Sequence, residues 1–168
     1  MAFVALESYV VTQYGFDAFE ALLDATSHRL STTDPYVGPG CYPDPDLRIL
    51  VDELSRCHDR APGLVGRELG WDAFGKLARR HHALLAGHLD LRDFVGVLER
   101  TRSTMPELAI ARAGSGFRIE SQMTADLCDA AEGLFAAVAA HFAGSFAIAK
   151  LTCRGAGDAT CVWEVAIG

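Results

Sequence analysis

The sequence predicts an α+β domain, with a helical N-terminal lobe packed on a C-terminal lobe of small antiparallel sheet plus one long helix. Three observations carry this. Apolar residues in the first part of the chain recur at helical spacing. From Phe117 onward short alternating runs flank one strong helical stretch. Half of the 168 residues are apolar, which is enough for a real core in a chain of this length. One domain with two lobes is therefore expected over 1–168, helical over about the first hundred residues and changing character over about the last sixty.

Residues 3–14 read as a helix stopped at Gly15. A second helix is expected at 17–25, with Phe16, Phe19, Leu22 and Leu23 at helical spacing. Residues 31–45 are rich in proline and glycine and read as a loop. Asp44 or Asp46 can cap the next helix, in which Leu47, Leu50, Val51 and Leu54 share one apolar face. Further helices are expected at 63–85, interrupted near Gly70, and at 91–101. Residues 117–121 alternate like a strand. The long helix spans 125–142, with Leu127, Ala131, Leu134 and Val138 on its buried side. Residues 146–153 and 161–167 are strands joined by a glycine-bearing loop.

Charge and motifs narrow the function. The formal charge of −7 argues against nucleic acid or an anionic membrane surface as the main partner. No apolar stretch is long enough to span a bilayer, since His141, Gly144 and Lys150 break the best ones. The N-terminus carries no export signal, so a cytoplasmic setting is expected. Phosphate-binding glycine loops, paired zinc-protease histidines and a nucleophile elbow are all missing. A binding or sensing module is expected rather than an enzyme.

Several segments, read in order, resemble the haem nitric-oxide/oxygen-binding (H-NOX) family. They are Val10-Val11-Thr12-Gln13-Tyr14-Gly15, Gly40-Cys41-Tyr42-Pro43-Asp44, Leu69-Gly70-Trp71-Asp72-Ala73-Phe74 and Leu84-Leu85-Ala86-Gly87-His88. Leu91-Arg92-Asp93-Phe94, Ala131-Glu132-Gly133-Leu134, His141-Phe142 and Cys161-Val162-Trp163-Glu164-Val165 continue the series over essentially the whole chain. The resemblance implies a distal helical lobe (1–60) over a proximal α/β lobe (61–168). It also implies a gaseous or small hydrophobic ligand between the lobes, and a separate signalling protein of kinase or cyclase type as partner. The family's cofactor is haem, held by a helical histidine shortly after the position of Asp93-Phe94. That position falls on Ser103, a poor iron ligand beside an imidazole. The family's Tyr-x-Ser-x-Arg clamp for the haem propionates falls on Ser121-Gln122-Met123-Thr124-Ala125, without tyrosine or arginine. Ser103, Met105 and Met123 are thus the candidate cofactor-binding residues, with Met105 or Cys57 as substitute iron ligands. Among the histidines, His28, His58, His81, His82 and His88 read as surface or helix-end residues.

Five cysteines in a chain without an export signal point to thiol or metal chemistry rather than a secreted disulfide framework. Cys153 closes one strand and Cys161 opens its partner, while Cys128 lies at the start of the helix expected to pack on this sheet. Three thiols converging there suit zinc. They also suit oxidation, including a Cys153–Cys161 disulfide, or simple packing. Some family members place zinc here with a fourth His or Glu ligand three residues before Cys153; in this chain that residue is Lys150. Glu132, one turn beyond Cys128, and Asp158 in the hairpin loop are candidate substitutes. His141 lies about 20 Å along the helix and is too far. Two functions are therefore open: a sensor with haem or another ligand, or a haem-independent redox- or zinc-responsive module using Cys128, Cys153 and Cys161.

Overall fold

The computed structural model describes residues 2–31, 44–80, 82, 108–122, 128–142 and 145–168. Four helices come first: α1 (Ala2–Tyr14), α2 (Phe16–Thr26), α3 (Asp44–Cys57) and α4 (Pro62–Arg80). A hairpin follows, β1 (Leu108–Ala113) and β2 (Gly116–Ser121), and then α5 (Cys128–Phe142). A second hairpin, β3 (Phe146–Thr152) and β4 (Cys161–Ile167), closes the chain, with a short 3-10 turn at Arg154–Ala156 between its strands. The four strands form one antiparallel sheet in the order β1-β2-β4-β3. Among the described residues no helix is long and apolar enough to cross a membrane.

Two apolar cores result, and α4 serves both. The first gathers Leu6, Tyr9 and Val10 of α1, Phe19, Leu22 and Leu23 of α2, and Leu47, Leu50, Val51 and Leu54 of α3 around Val65 and Leu69 of α4. The expected face of α3 is buried, as are Phe19, Leu22 and Leu23 of α2, but Phe16, at the first position of α2, is 56 % exposed. Gly15 takes φ 93° between α1 and α2, a left-handed conformation that glycine adopts without steric cost. Asp46 at the start of α3 is buried and accepts hydrogen bonds from the backbone N–H (2.9 Å) and hydroxyl (3.0 Å) of Ser31, tying the end of α2 to α3. The second core packs Phe74 of α4 and the inner side of α5 on Phe117, Ile119, Cys161, Trp163 and Val165 of the sheet. Trp163 fills its centre, edge-on to Phe135 at 5.2 Å. Among the described residues its indole N–H has no hydrogen-bond partner, a cost of about 1–3 kcal/mol that the ring's burial must offset.

Three expectations change. The helix over 63–85 is α4, described to Arg80, and it runs unbroken through Gly70. Glycine is needed there for contact: a Cβ at Gly70 would land on the carbonyl of Ala130, and one at Gly133 on the carbonyl of Arg67. The helices α4 and α5 therefore cross backbone to backbone. The strand β1 was not expected; its alanines alternate with only two larger apolar residues, so its period-2 signal is faint. Third, α5 buries two sides instead of one. Ala131, Leu134 and Val138 pack into the sheet core as expected, while Gly133 faces α4. The helix expected at 91–101 and Leu127 lie outside the described residues.

Candidate thiol site

The site is built where three elements meet. Cys128 opens α5, Cys161 opens β4, and Cys153 follows the last residue of β3. In β4 the residues Cys161, Trp163 and Val165 share the side of the sheet that faces α5, as period-2 alternation requires. On β2 the residue opposite Cys161 is Ser121, which is buried. A register shift between Lys150 and Thr152 ends the β3 ladder at the Thr152–Val162 pair. Cys153 then leaves the ladder: its N–H donates to the Asp158 carboxylate at 2.7 Å, and the chain enters the 3-10 turn. Gly157 takes φ 101° to close that turn.

The result brings all three sulfurs within 4.8 Å of one another. Cys128 is 5 % exposed and Cys161 1 %, while Cys153 is half-buried and open to solvent on one side. Cys128 and Cys161 are joined as a disulfide, their Cα atoms 6.9 Å apart, and Cys153 is a free thiol. The sequence left a Cys153–Cys161 disulfide open as one alternative; the bonded pair is Cys128–Cys161 instead. The bulge and turn take Cys153 off the ladder, whereas the first turn of α5 sets Cys128 directly over Cys161. The backbone N–H of Arg154 donates to the Cys161 sulfur at 3.3 Å. The Arg154 guanidinium meanwhile donates to the carbonyl of Gln122 at 2.6 Å, pinning the turn to the end of β2.

None of the expected fourth ligands joins the cluster. Lys150 donates to Asp129 at 2.9 Å and to Glu132 at 2.8 Å, both on the first turns of α5. Burial by itself would lower its pKa, but the two carboxylates prevail and hold it above the ordinary lysine value. It stays charged and offers no lone pair. Glu132 and Asp129 also face Arg67 of α4, at 3.6 and 3.9 Å. Asp158 is engaged by the Cys153 N–H. This four-residue ionic network, Arg67–Asp129–Glu132–Lys150, was not foreseen, because its members come from three elements far apart in sequence.

Of the candidate haem residues, Ser103, Met105 and Met123 lie outside the described residues, as do Cys41, His81 and His88. The four described histidines, His28, His58, His82 and His141, are all exposed. His58 stacks on Tyr14 at 3.9 Å, and His141 lies edge-on to Phe74. None of these four side chains is buried. Cys57 is an exposed thiol at the end of α3, beside Glu53 and Arg56.

A helical lobe and an α/β lobe sharing α4, with α5 laid over a four-stranded antiparallel sheet, define the H-NOX fold. The comparison with solved structures shows this. The H-NOX protein from S. oneidensis in the Fe(II)NO ligation state aligns with a TM-score of 0.78 at 22 % identity, over 99 % of this chain and 97 % of that one. The IWP-051-bound H-NOX from Shewanella woodyi in the Fe(II)CO state gives 0.72 at 20 % identity, over 100 % and 93 %. The Fe(II) unliganded H-NOX protein from K. algicida gives 0.74 at 14 %, over 99 % and 95 %. A form of the S. oneidensis domain with one histidine replaced by glycine, in the Fe(II)CO state, aligns at 0.74 and 22 %. No protein-family model matches the chain, and no curated protein matches it in sequence.

Proposed function

We propose that this chain is a single non-catalytic sensor domain of the H-NOX type, distal over 1–60 and proximal over 61–168, with the three-cysteine cluster as its responsive element. The observation that carries this is the convergence of the Cys128, Cys153 and Cys161 sulfurs within 4.8 Å, from three separate elements. The cluster has two chemical states. In one, a two-electron oxidant such as a peroxide takes two electrons and two protons from Cys128 and Cys161, leaving their disulfide and two waters. In the other, all three thiols are reduced and can ligate a soft cation, zinc among them. A bound zinc would crosslink α5 to the sheet hairpin; it would need a water or outside ligand for its fourth place. A change of state at the first turn of α5 is then passed to a separate signalling protein, of the kinase or cyclase type, in a cytoplasmic setting.

Peptide mapping after blocking free thiols tests this. In the oxidised chain a linked Cys128–Cys161 peptide is expected with Cys153 blocked, and in the reduced chain all three should be blocked or protected by metal. Three thiols that neither pair nor protect under any condition would reduce the cluster to packing.

A second reading, gas sensing through haem, is favoured by the similar solved structures, which are in Fe(II) states, either unliganded or with NO or CO. The histidine-replaced S. oneidensis form in the Fe(II)CO state keeps that reading open for a chain with Ser103 at the ligand position. The visible spectrum after haemin addition decides it. We expect no Soret band of histidine-ligated iron, since Ser103 carries no imidazole and the described histidines are exposed; a one-to-one band that shifts with nitric oxide would restore haem sensing.

A further inference from the structure

We propose that the reduced cluster is a trigonal three-thiolate site whose ligand is a trivalent, thiophilic metalloid of the arsenite or antimonite type, taken in preference to zinc. The inference rests on the reading of Cys128, Cys153 and Cys161 as a sensing cluster and names what it binds.

Donor count is the first argument. Three sulfurs lie within 4.8 Å of one another, and no imidazole or carboxylate among the described residues joins them. Zinc seeks four ligands in a tetrahedron. Arsenic(III) carries a stereochemically active lone pair and is satisfied by three sulfurs in a pyramid. Residues that would complete a tetrahedron are committed elsewhere: Lys150 to Asp129 and Glu132, Glu132 also to Arg67, and Asp158 to the Cys153 N–H.

Charge is the second. Cys128 and Cys161 are almost fully buried, where an unbalanced charge is costly. Three thiolates around Zn²⁺ leave a net −1, while around a trivalent centre they are neutral. Within the neighbouring network Arg67 and Lys150 are matched one for one by Asp129 and Glu132, and the guanidinium of Arg154 is directed to the carbonyl of Gln122 at 2.6 Å. The half-buried Cys153 gives the ligand an entry side, and its sulfur can make the first bond.

The reaction balances without electron transfer. Arsenous acid, As(OH)₃, exchanges its three hydroxyls for three sulfurs, each thiol giving its proton to a departing hydroxide, and three waters leave. The Cys128–Cys161 disulfide removes two of the three donors, so oxidation and metalloid capture exclude each other.

The experiment uses the full chain with Cys41→Ser and Cys57→Ser, reduced by a phosphine that is then removed. Arsenite, zinc or both are added, and native mass and thiol alkylation are read. Arsenite should give one arsenic per chain with three protected thiols, retained in excess zinc, and the oxidised chain should take none. Cys153→Ser should weaken retention by about 100-fold or more, since losing even an outer-shell partner of a metal site costs about 10–100-fold. As a check that needs no further variant, phenylarsine oxide, which makes two thiolate bonds, should leave one of the three thiols open. Protection of all three by zinc, with arsenite displaced, overturns the proposal and leaves the sensing cluster standing. Protection by neither overturns the metalloid site, and overturns the sensing cluster as well if oxidation also yields no Cys128–Cys161 disulfide. Arsenite retention unaffected by Cys153→Ser overturns the trigonal site alone.

Discussion

At the scale of single residues, the firmest polar feature outside the thiol cluster is the knot joining α1 to α4. The buried Tyr9 donates its hydroxyl to Glu68 at 2.6 Å, and Arg60 reaches both Glu68 and the hydroxyl of Tyr14, the latter at 3.1 Å. Hydrogen bonds from Arg60 hold the Glu68 carboxyl below its ordinary pKa, against the opposing pull of burial, and the Tyr9 hydroxyl adds to the effect. Burial, then the bond to Glu68, pushes ionisation of Tyr9 well above the usual tyrosine range. Because the folded Glu68 pKa is depressed, its contribution is complete above the unfolded glutamate value and is lost as pH falls through the folded one. Glu68→Gln should therefore flatten the acid limb of stability below the ordinary glutamate pKa of about 4.3, read by urea midpoints at successive pH values. An acid limb of unchanged slope would show that the pair contributes nothing. Tyr9→Phe keeps the ring and deletes one bond to a carboxylate that Arg60 still holds. A loss of about 1–2 kcal/mol at neutral pH is expected, and an unshifted midpoint would contradict it.

At the scale of elements, the crossing of α4 and α5 is where sequence and structure part most instructively. Gly70→Ala and Gly133→Ala each drive a methyl into a facing backbone carbonyl, so the helices must separate. A loss of about 1–3 kcal/mol or more is expected in denaturant melts. Gly75→Ala on the same helix meets only the tip of Arg79, at 3.7 Å. It should stabilise by up to about 1 kcal/mol through helix propensity; if all three variants behaved alike, the close crossing would be refuted. Helical period made α2 and α3 legible, because each has its own apolar stripe, while α1 was marked by its stop at Gly15. The second hairpin was legible from its alternation and glycine loop. Gly70 read as an interruption because a lone sequence cannot tell a glycine that breaks a helix from one that lets another backbone approach. The strand β1 hid behind its alanines, although Gly114-Ser115 before Gly116 is a two-residue hairpin turn that marked it. The thiol cluster was legible as three residues on three adjoining elements. Its bonded pair was not, since that depends on a bulge at Lys150 and Thr152 that no spacing announces.

At the scale of the molecule, the question is how a change at the cysteines reaches the helical lobe. Two routes leave the first turns of α5. One is steric: Asp129 and Ala130 lie against Gly66 and Gly70 of α4. The other is ionic: Lys150, three residues before Cys153, grips Asp129 and Glu132, which face Arg67 on α4. Helix α4 then carries Val65 and Leu69 into the first core and Phe74 into the second. Reducing the Cys128–Cys161 bond, which closes a 33-residue separation, should lower stability by about 2–4 kcal/mol on chain-entropy grounds. If the state of the cluster is transmitted, reduction should also speed amide exchange in α4 over 66–70, beyond the uniform shift that lower global stability produces. Lys150→Met keeps an apolar stem beside Trp163 but cuts the ionic route, leaving Asp129 and Glu132 to Arg67 alone. The redox-dependent change in α4 should then shrink. A change that survives Lys150→Met but disappears in Gly70→Ala assigns transmission to the backbone contact instead. Exchange in α4 that is identical in the oxidised and reduced chains would confine the cluster's effect to the sheet lobe, and any partner would then have to read the α5–hairpin surface directly.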